Sequence, residues 1–376
     1  MKIITVAGAR PNFIKIAPLH RAFLKKADRF DHMICHTGQH FDKNMSKIFF
    51  EELDIPEPHF NLGVGSGSHA EQTARIMIEF EKVLIREKPE LILVPGDVNS
   101  TLACSVVASK MGIPVGHVEA GLRSFDRKMP EEINRIVTDV LSDYLFVSEG
   151  SGLINLNNEG IAEDKIHFVG NIMIDSLVQF LPSIEQSSIL NVLDLKAGRY
   201  TLMTFHRPRN VDDRDSLAEL VGMLNRLSGK TRLVFPIHPR TRKNLEKHGL
   251  HTEMDPGILL LDPIGYFDFL ALTRTAELVI TDSGGIQEET TYLGVQCLTV
   301  RDNTERPVTV SVGTNQLIGT DLKKVEQAAE KVLSGNKKKG SFPELWDGKT
   351  AERIVNIIEK CRHPFSDKDP GLTRQR

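Results

Sequence analysis

The chain has 376 residues, 40% of them hydrophobic and 26% charged, with 47 basic against 50 acidic side chains and a net charge of −3. That balance gives no bulk electrostatic drive toward nucleic acid or an anionic membrane, and no apolar run reaches the ~20 residues that span a bilayer. The length calls for two domains, and four scattered cysteines without a Cys-x-x-Cys pair argue against a disulfide scaffold and a thiolate zinc site, hence for a reducing, cytoplasmic setting.

Residues 1–6 read as a short strand rather than a signal peptide, because they carry one basic residue and stop at Gly8-Ala9-Arg10-Pro11. From there apolar, β-branched runs alternate with amphipathic stretches, the pattern of an α/β chain with parallel strands. Strands are expected over 3–7, 32–37, 91–95, 115–119, 144–147 and 166–169, with helices over 11–26, 43–53, 70–86, 101–111, 131–142 and 151–158. The rhythm breaks around 180–198, at Leu181-Pro182-Ser183 and Gln186-Ser187-Ser188, which divides the chain into units 1–180 and 181–348. It restarts with strands over 200–205, 232–236, 258–261, 278–281 and 296–300. Helices are expected over 212–227, 241–247, 266–274 and 286–293, followed by 322–334 and 349–361. Two doubly wound units place their ligand loops beyond the carboxyl ends of the strands, so the natural site is the cleft between them.

The polar residues at those strand ends carry the chemistry. Arg10 and Lys15, at the start of the first helix, form an anion cradle with its N-terminus. The glycine spacing is neither Gly-x-Gly-x-x-Gly nor a P-loop, so neither a dinucleotide fingerprint nor an ATPase is supported. Gly38-Gln39-His40 ends a strand, and residues 64–68 form a loop able to close over a ligand. Asp97 follows Pro95-Gly96 and is either a turn former or a functional acid, with Asn99 or Ser100 capping the next helix. Glu119, ending an apolar strand, is costly to bury unless paired or used. Glu131 and Glu132 open a helix, where first-turn acids are favourable in any case. Asp97, Glu119 and Glu131 lie at three loop ends on one side of one sheet. Crowded carboxylates have split pKa values, which suits proton removal at one face of a sugar ring and delivery at the other.

The second half adds His206-Arg207 and His238-Pro239-Arg240, suited to donate to phosphate oxygens or assist a leaving group. No His-x-x-x-His pattern indicates a metal. Thr281-Asp282-Ser283-Gly284-Gly285-Ile286-Gln287-Glu288-Glu289 reads as a strand turning into a helix that starts near Ile286. Its free N–H groups, two glycines and the Ser283 hydroxyl favour an anion, whereas Glu288 and Glu289 would repel one, so at least one of them faces a neutral polyol such as a ribose. Arg306 is either a second cation for a diphosphate or the partner of one of these glutamates.

Taken in order, Gly8-Ala9-Arg10-Pro11-x-x-Ile14-Lys15, Gly38-Gln39-His40, Gly96-Asp97, His117-Val118-Glu119-Ala120-Gly121-Leu122-Arg123, Pro130-Glu131-Glu132-x-Asn134-Arg135, His206-Arg207, 281–289 and Thr304-Glu305-Arg306-Pro307 resemble the non-hydrolysing UDP-N-acetylglucosamine 2-epimerases over nearly the whole chain. The resemblance implies a GT-B fold, two Rossmann-like domains with an interdomain active-site cleft, and a last helix (349–376) packing back on the first domain. It implies a homodimer that reversibly converts UDP-GlcNAc to UDP-ManNAc without NAD or metal, by eliminating UDP to 2-acetamidoglucal and adding it back. Carried over by motif, Asp97, Glu119 and Glu131 are the acid/base carboxylates and His206 assists the leaving diphosphate. Arg10, Lys15, Ser283, Gly284, Gly285, Glu289 and Arg306 hold UDP, with Phe269 near the uracil and Glu289 on the ribose. Gln39, His40, Arg75 and His238 are the candidates for a second, activating UDP-GlcNAc site. Departures are Ala9 for threonine, Ile264 for a uracil-facing glutamine, Val308 for glutamate, and Phe41-Asp42 after Gln39-His40. The opening Gly-Ala-Arg-Pro also resembles the branch that epimerises UDP-2,3-diacetamido-glucuronic acid. A glycosyltransferase on the same fold is the alternative of another class, though three clustered acids exceed what it needs.

Overall fold

The computed structural model describes residues 1–8, 10–38, 53 and 55–361, without the side chains of Arg10 and Pro11. The expectations for Ala9, Gln39, His40, the helix over 43–53 and the tail from 363 lie outside the described residues.

Every strand pairing is parallel, and the strands form two sheets. The first contains β1 (Lys2–Ala7), β2 (Asp31–His36), β3 (Phe60–Asn61), β4 (Leu91–Pro95), β5 (Val115–Ala120), β6 (Tyr144–Val147) and β7 (Ile166–Phe168), in the order β3-β2-β1-β4-β5-β6-β7. The second contains β8 (Tyr200–Thr204), β9 (Arg232–Pro236), β10 (Leu259–Leu261), β11 (Leu278–Thr281), β12 (Gln296–Thr299) and β13 (Asn315–Leu317), in the order β10-β9-β8-β11-β12-β13. The central strands are buried along their whole length, Leu-Ile-Leu-Val-Pro in β4 and Leu-Val-Ile-Thr in β11, because helices cover both faces of a parallel sheet. Each sheet reverses direction once, between β1 and β4 and between β8 and β11. At such a switch point the adjoining loops diverge and leave a crevice beyond the strand ends. Gly8 and Asp97 flank the first crevice, and His206 and Asp282 flank the second.

Two strands escape the sequence patterns. β3 and β13 span two and three residues, Phe-Asn and Asn-Gln-Leu, and contain no apolar run. A helix, Ile172–Glu185, runs through Leu181-Pro182-Ser183, where the rhythm reads as broken. Its first half is buried between both units, where the helix touches helices Arg10–Leu24, Tyr266–Thr275 and Gly284–Leu293, and its exposed positions, Gln179, Pro182, Ser183 and Glu185, all fall in the second half. The division expected at 180/181 falls inside this helix. We propose that the connection between the units is 186–199.

Asp175 of the same helix accepts the N–H groups of Thr350 and Ala351 at 3.0 and 2.7 Å, capping the last helix, Thr350–Cys361. Ala351, Ile354, Val355 and Ile358 then enter the core of the first sheet with Ile3, Leu19, Phe23 and Leu91. Lys25 and Lys26 pair with Glu352 and Glu359 across this seam. Among the described residues no helix is long and apolar enough to cross a membrane.

Candidate active site

Between the two sheets lies a cavity of about 1030 Å³, at the upper end of the usual range for ligand sites. The first unit contributes Lys15, Asp97, Glu131 and Arg135 to its wall, and the second contributes His206, His238, Gly284, Gly285, Glu288 and Arg306.

Glu119 reaches this region through a backbone irregularity. The register of β5 on β6 shifts between Val118 and Ala120, and Glu119 sits at φ +74°, a left-handed conformation that costs a non-glycine residue roughly 1–2 kcal/mol. Its carboxylate lies 2.6 Å from Lys15 Nζ, with both side chains almost fully buried. Gly96, at φ +74°, makes room for this pair, since a Cβ there would stand 3.0 Å from Lys15 Nζ.

Asp97 accepts Arg135 Nε at 3.0 Å, and Asn134 Nδ2 donates to its carbonyl at 2.8 Å. Burial alone would raise the Asp97 pKa, but Arg135, Lys15 and Arg306 outweigh it and hold the carboxyl below its ordinary value. Arg135 also pairs with Glu132, which accepts the N–H groups of Ser124 and Phe125, each at 2.9 Å. Glu132 is therefore committed to shaping the loop after β5. Glu131, one residue earlier and half-buried on the cavity wall, makes no hydrogen bond or ion pair with the described residues. The expected caps of the helix after Asp97 do not form: Val98 is the N-cap, and Asn99 and Ser100 lie inside the helix Asn99–Lys110.

On the facing wall the helix begins at Gly284, two residues before the expected start, and Ser283 at its N-cap makes no side-chain cap bond. The hydroxyl and the first-turn N–H groups are thus left for an anion. A Cβ on Gly284 would stand 3.1 Å from Arg306 Nη1, so the glycine admits the guanidinium. Arg306 lies 2.8 Å from Glu288, 2.7 Å from Glu305 and 3.9 Å from Glu119, the last across the cleft. Burial would lower the Arg306 pKa, and Glu288, Glu305 and Glu119 reverse this. Burial would raise that of Glu305, but Arg306 and Arg301 hold it well below its ordinary value. Glu288, bonded by Asn171 at 2.7 Å, is instead raised by burial. Glu289 is pushed up to about 8 by burial and by Glu288, with the Tyr266 hydroxyl 3.4 Å away.

Of the residues singled out in the sequence, Lys15, Asp97, Glu119, Glu131, His206, Gly284, Gly285 and Arg306 converge, with His238 beside His206 at 5.7 Å between ring centroids. Ser283 adjoins them, and Arg10 opens the helix that carries Lys15. Phe269 packs in the apolar cluster with Ile264 and Ile286, Glu289 lies beneath Tyr266, and Arg75 is exposed on helix His69–Glu87; none of the three lines the cavity. Sequence reasoning assigned no role to Arg135, Asn171 or Asp282. Arg135 stands at i+4 from Glu131, a spacing that puts both on one helix face and was the available signal. Asn171 and Asp282 meet their partners only across the fold.

Residues 22–359 match the family model described as UDP-N-acetylglucosamine 2-epimerase. The chain is 44% identical to the UDP-N-acetylglucosamine 2-epimerase of Methanococcus maripaludis, over 98% of this chain and 100% of that one. It is 40% identical to the UDP-2,3-diacetamido-2,3-dideoxy-D-glucuronate 2-epimerase of Pseudomonas aeruginosa, over 96% and 100%. Among solved structures it resembles the Methanocaldococcus jannaschii UDP-GlcNAc 2-epimerase in complex with UDP-GlcNAc and UDP. The TM-score is 0.88 at 45% identity, covering 96% of this chain and 100% of that one.

Proposed function

The chain belongs to the UDP-N-acetylglucosamine 2-epimerase family, an isomerase family with the GT-B fold, and we propose that it interconverts UDP-GlcNAc and UDP-ManNAc. The observation that carries this reading is the meeting, in one cleft, of three carboxylates from the first sheet with a cationic helix N-terminus from the second. Asp97, Glu119 and Glu131 take and return the C2 proton, and Asp97, kept ionised by Arg135, is suited to accept one. Arg10, Lys15, Arg306, the Ser283 hydroxyl and the N–H groups of Gly284 and Gly285 hold the diphosphate, with His206 at the departing oxygen. Phe269 and Glu289, which stand behind the cavity wall, are assigned to the uracil and the ribose on the motif resemblance alone. UDP leaves C1 as the C2 proton is removed, stays bound while detached, and returns after C2 is protonated from the other face.

A second substrate is favoured by one feature. Arg207 lines the cavity, donates Nε–H to the Asp282 carbonyl at 2.9 Å, and makes no ion pair with the described residues, so it is placed to take an additional carboxylate such as that of UDP-2,3-diacetamido-glucuronic acid. Turnover of the two UDP-sugars side by side in deuterium oxide, followed by NMR, tests both readings. Deuterium is expected at C2 of the recovered sugar nucleotide. Its absence with both substrates sinks the epimerase reading.

We also propose a homodimer through the first unit. Ile78 and Ile85 on helix His69–Glu87 and Ile133 and Val140 on helix Pro130–Leu141 are exposed at i, i+7 spacing, on helices that flank Asn99–Lys110. Light scattering is expected to give twice the chain mass, and Ile133→Lys with Val140→Lys to give monomer. A monomeric wild type removes the proposal.

A further inference from the structure

Among the described residues, His206 is the one histidine of the cleft whose ring is braced by a carboxylate. Asp282, at the end of β11, is fully buried. It accepts the backbone N–H of Arg207 at 2.9 Å, that of His206 at 3.1 Å and Asn210 Nδ2 at 3.0 Å, and its other oxygen lies 2.8 Å from His206 Nδ1. Arg207 Nε closes the loop by donating to the Asp282 carbonyl. The residue thus grips the loop after β8 at four points while facing only one nitrogen of the imidazole. The other nitrogen is left to the cavity, which the half-exposed ring lines. His238, tilted at 39° beside it, is built differently: its Nδ1 accepts the Arg240 N–H at 3.2 Å, and it pairs with no carboxylate among the described residues.

We propose that Asp282 is a positioning residue for catalysis, holding His206 as the Nδ1–H tautomer so that Nε2 alone exchanges a proton with the departing group. This rests on the epimerase reading above. As the C1–O bond breaks, its electron pair stays on the diphosphate oxygen. His206 in its imidazolium form passes the Nε2 proton to that oxygen and recovers it when UDP adds back. Asp282 remains ionised throughout: burial would raise it, but His206, the Arg207 N–H and Asn210 hold its carboxyl below the ordinary value. Asp282 sets its negative charge against the ring, and His238, with Arg240 beside it, and Arg207 are the basic neighbours. Arg301 and Glu305 beside Arg207, and Glu131 across the cleft, complete the charged surroundings.

The test combines kinetics with ¹⁵N NMR of the histidine rings. Asp282→Asn is expected to lower kcat by at least ~10²-fold with a much smaller change in KM. The alkaline limb of its kcat profile should move to lower pH by about one unit, and Asp282→Glu should recover part of the rate. A purely structural clamp would not move that limb. In wild type with UDP bound, His206 is expected to carry its proton on Nδ1 whenever it is neutral; an Nε2–H tautomer overturns the dyad whether or not the variants fold. An unmoved alkaline limb in an active Asp282→Asn enzyme overturns it equally. If the wild type turns over neither UDP-sugar, it is the epimerase reading that fails, and the NMR result still decides the dyad.

Discussion

Glu119→Gln is expected to lower the turnover of UDP-GlcNAc by at least ~10²-fold while leaving the affinity for UDP equal or higher. The asymmetry follows from what Glu119 touches. Its carboxylate neutralises Lys15 at 2.6 Å and faces Arg306 at 3.9 Å, the two cations assigned to the diphosphate. Removing the charge frees both for a phosphate oxygen, so ground-state binding is kept or gained. The loss falls on the proton transfer. The amide is neutral and fits the same left-handed backbone, so the change isolates charge from shape. Asp97→Asn should fall by a similar factor but with a weaker hold on the first unit, because Arg135 loses its 3.0 Å partner. Steady-state rates with calorimetric UDP titration check both. Near-wild-type turnover in the two variants would remove the carboxylates from the mechanism.

Arg306→Met is expected to cost about 3–5 kcal/mol of stability near neutral pH and to weaken UDP binding by more than tenfold. Methionine matches the length but leaves buried Glu288 with no guanidinium 2.8 Å away and Glu305 with Arg301 alone. The pH dependence follows the sign of the Glu305 shift. A carboxylate held below its ordinary value contributes stability that is present above the unfolded pKa of about 4.3 and is lost as pH falls through the folded one. The variant lacks this contribution, so the gap in Tm to wild type should be widest near pH 8 and narrow on acidification below about pH 5. Adding Glu288→Gln should recover part of the stability but none of the UDP affinity. A gap independent of pH would refute the guanidinium as the source.

Most of the site was legible because its residues sit at strand ends, where an apolar run stops and a charged residue interrupts it. Asp97 after β4, Glu119 in β5 and His206 after β8 all announce themselves this way. The helix Ile172–Glu185 did not, because its first half is buried and Pro182 interrupts the half that is exposed. Nor did β3 and β13, Phe-Asn and Asn-Gln-Leu, which contain no apolar run.

The sequence by itself determined the two parallel-sheet units and the identity of the charged residues at their crevices, since local hydrophobic pattern and chain order suffice for both. It left two choices open that only the tertiary structure decided. Glu131 and Glu132 are equivalent first-turn acids in the sequence, yet Glu132 is spent on Ser124, Phe125 and Arg135 while Glu131 faces the cavity with no partner among the described residues. Arg306 read equally as a diphosphate cation or a glutamate partner, and in the fold it is bound by Glu288 and Glu305 while reaching Glu119 across the cleft. The first outcome depends on how the loop after β5 folds back onto the helix that carries both glutamates, and the second on which glutamates the close of the cleft sets around one guanidinium. Neither arrangement is a property of the hydrophobic pattern.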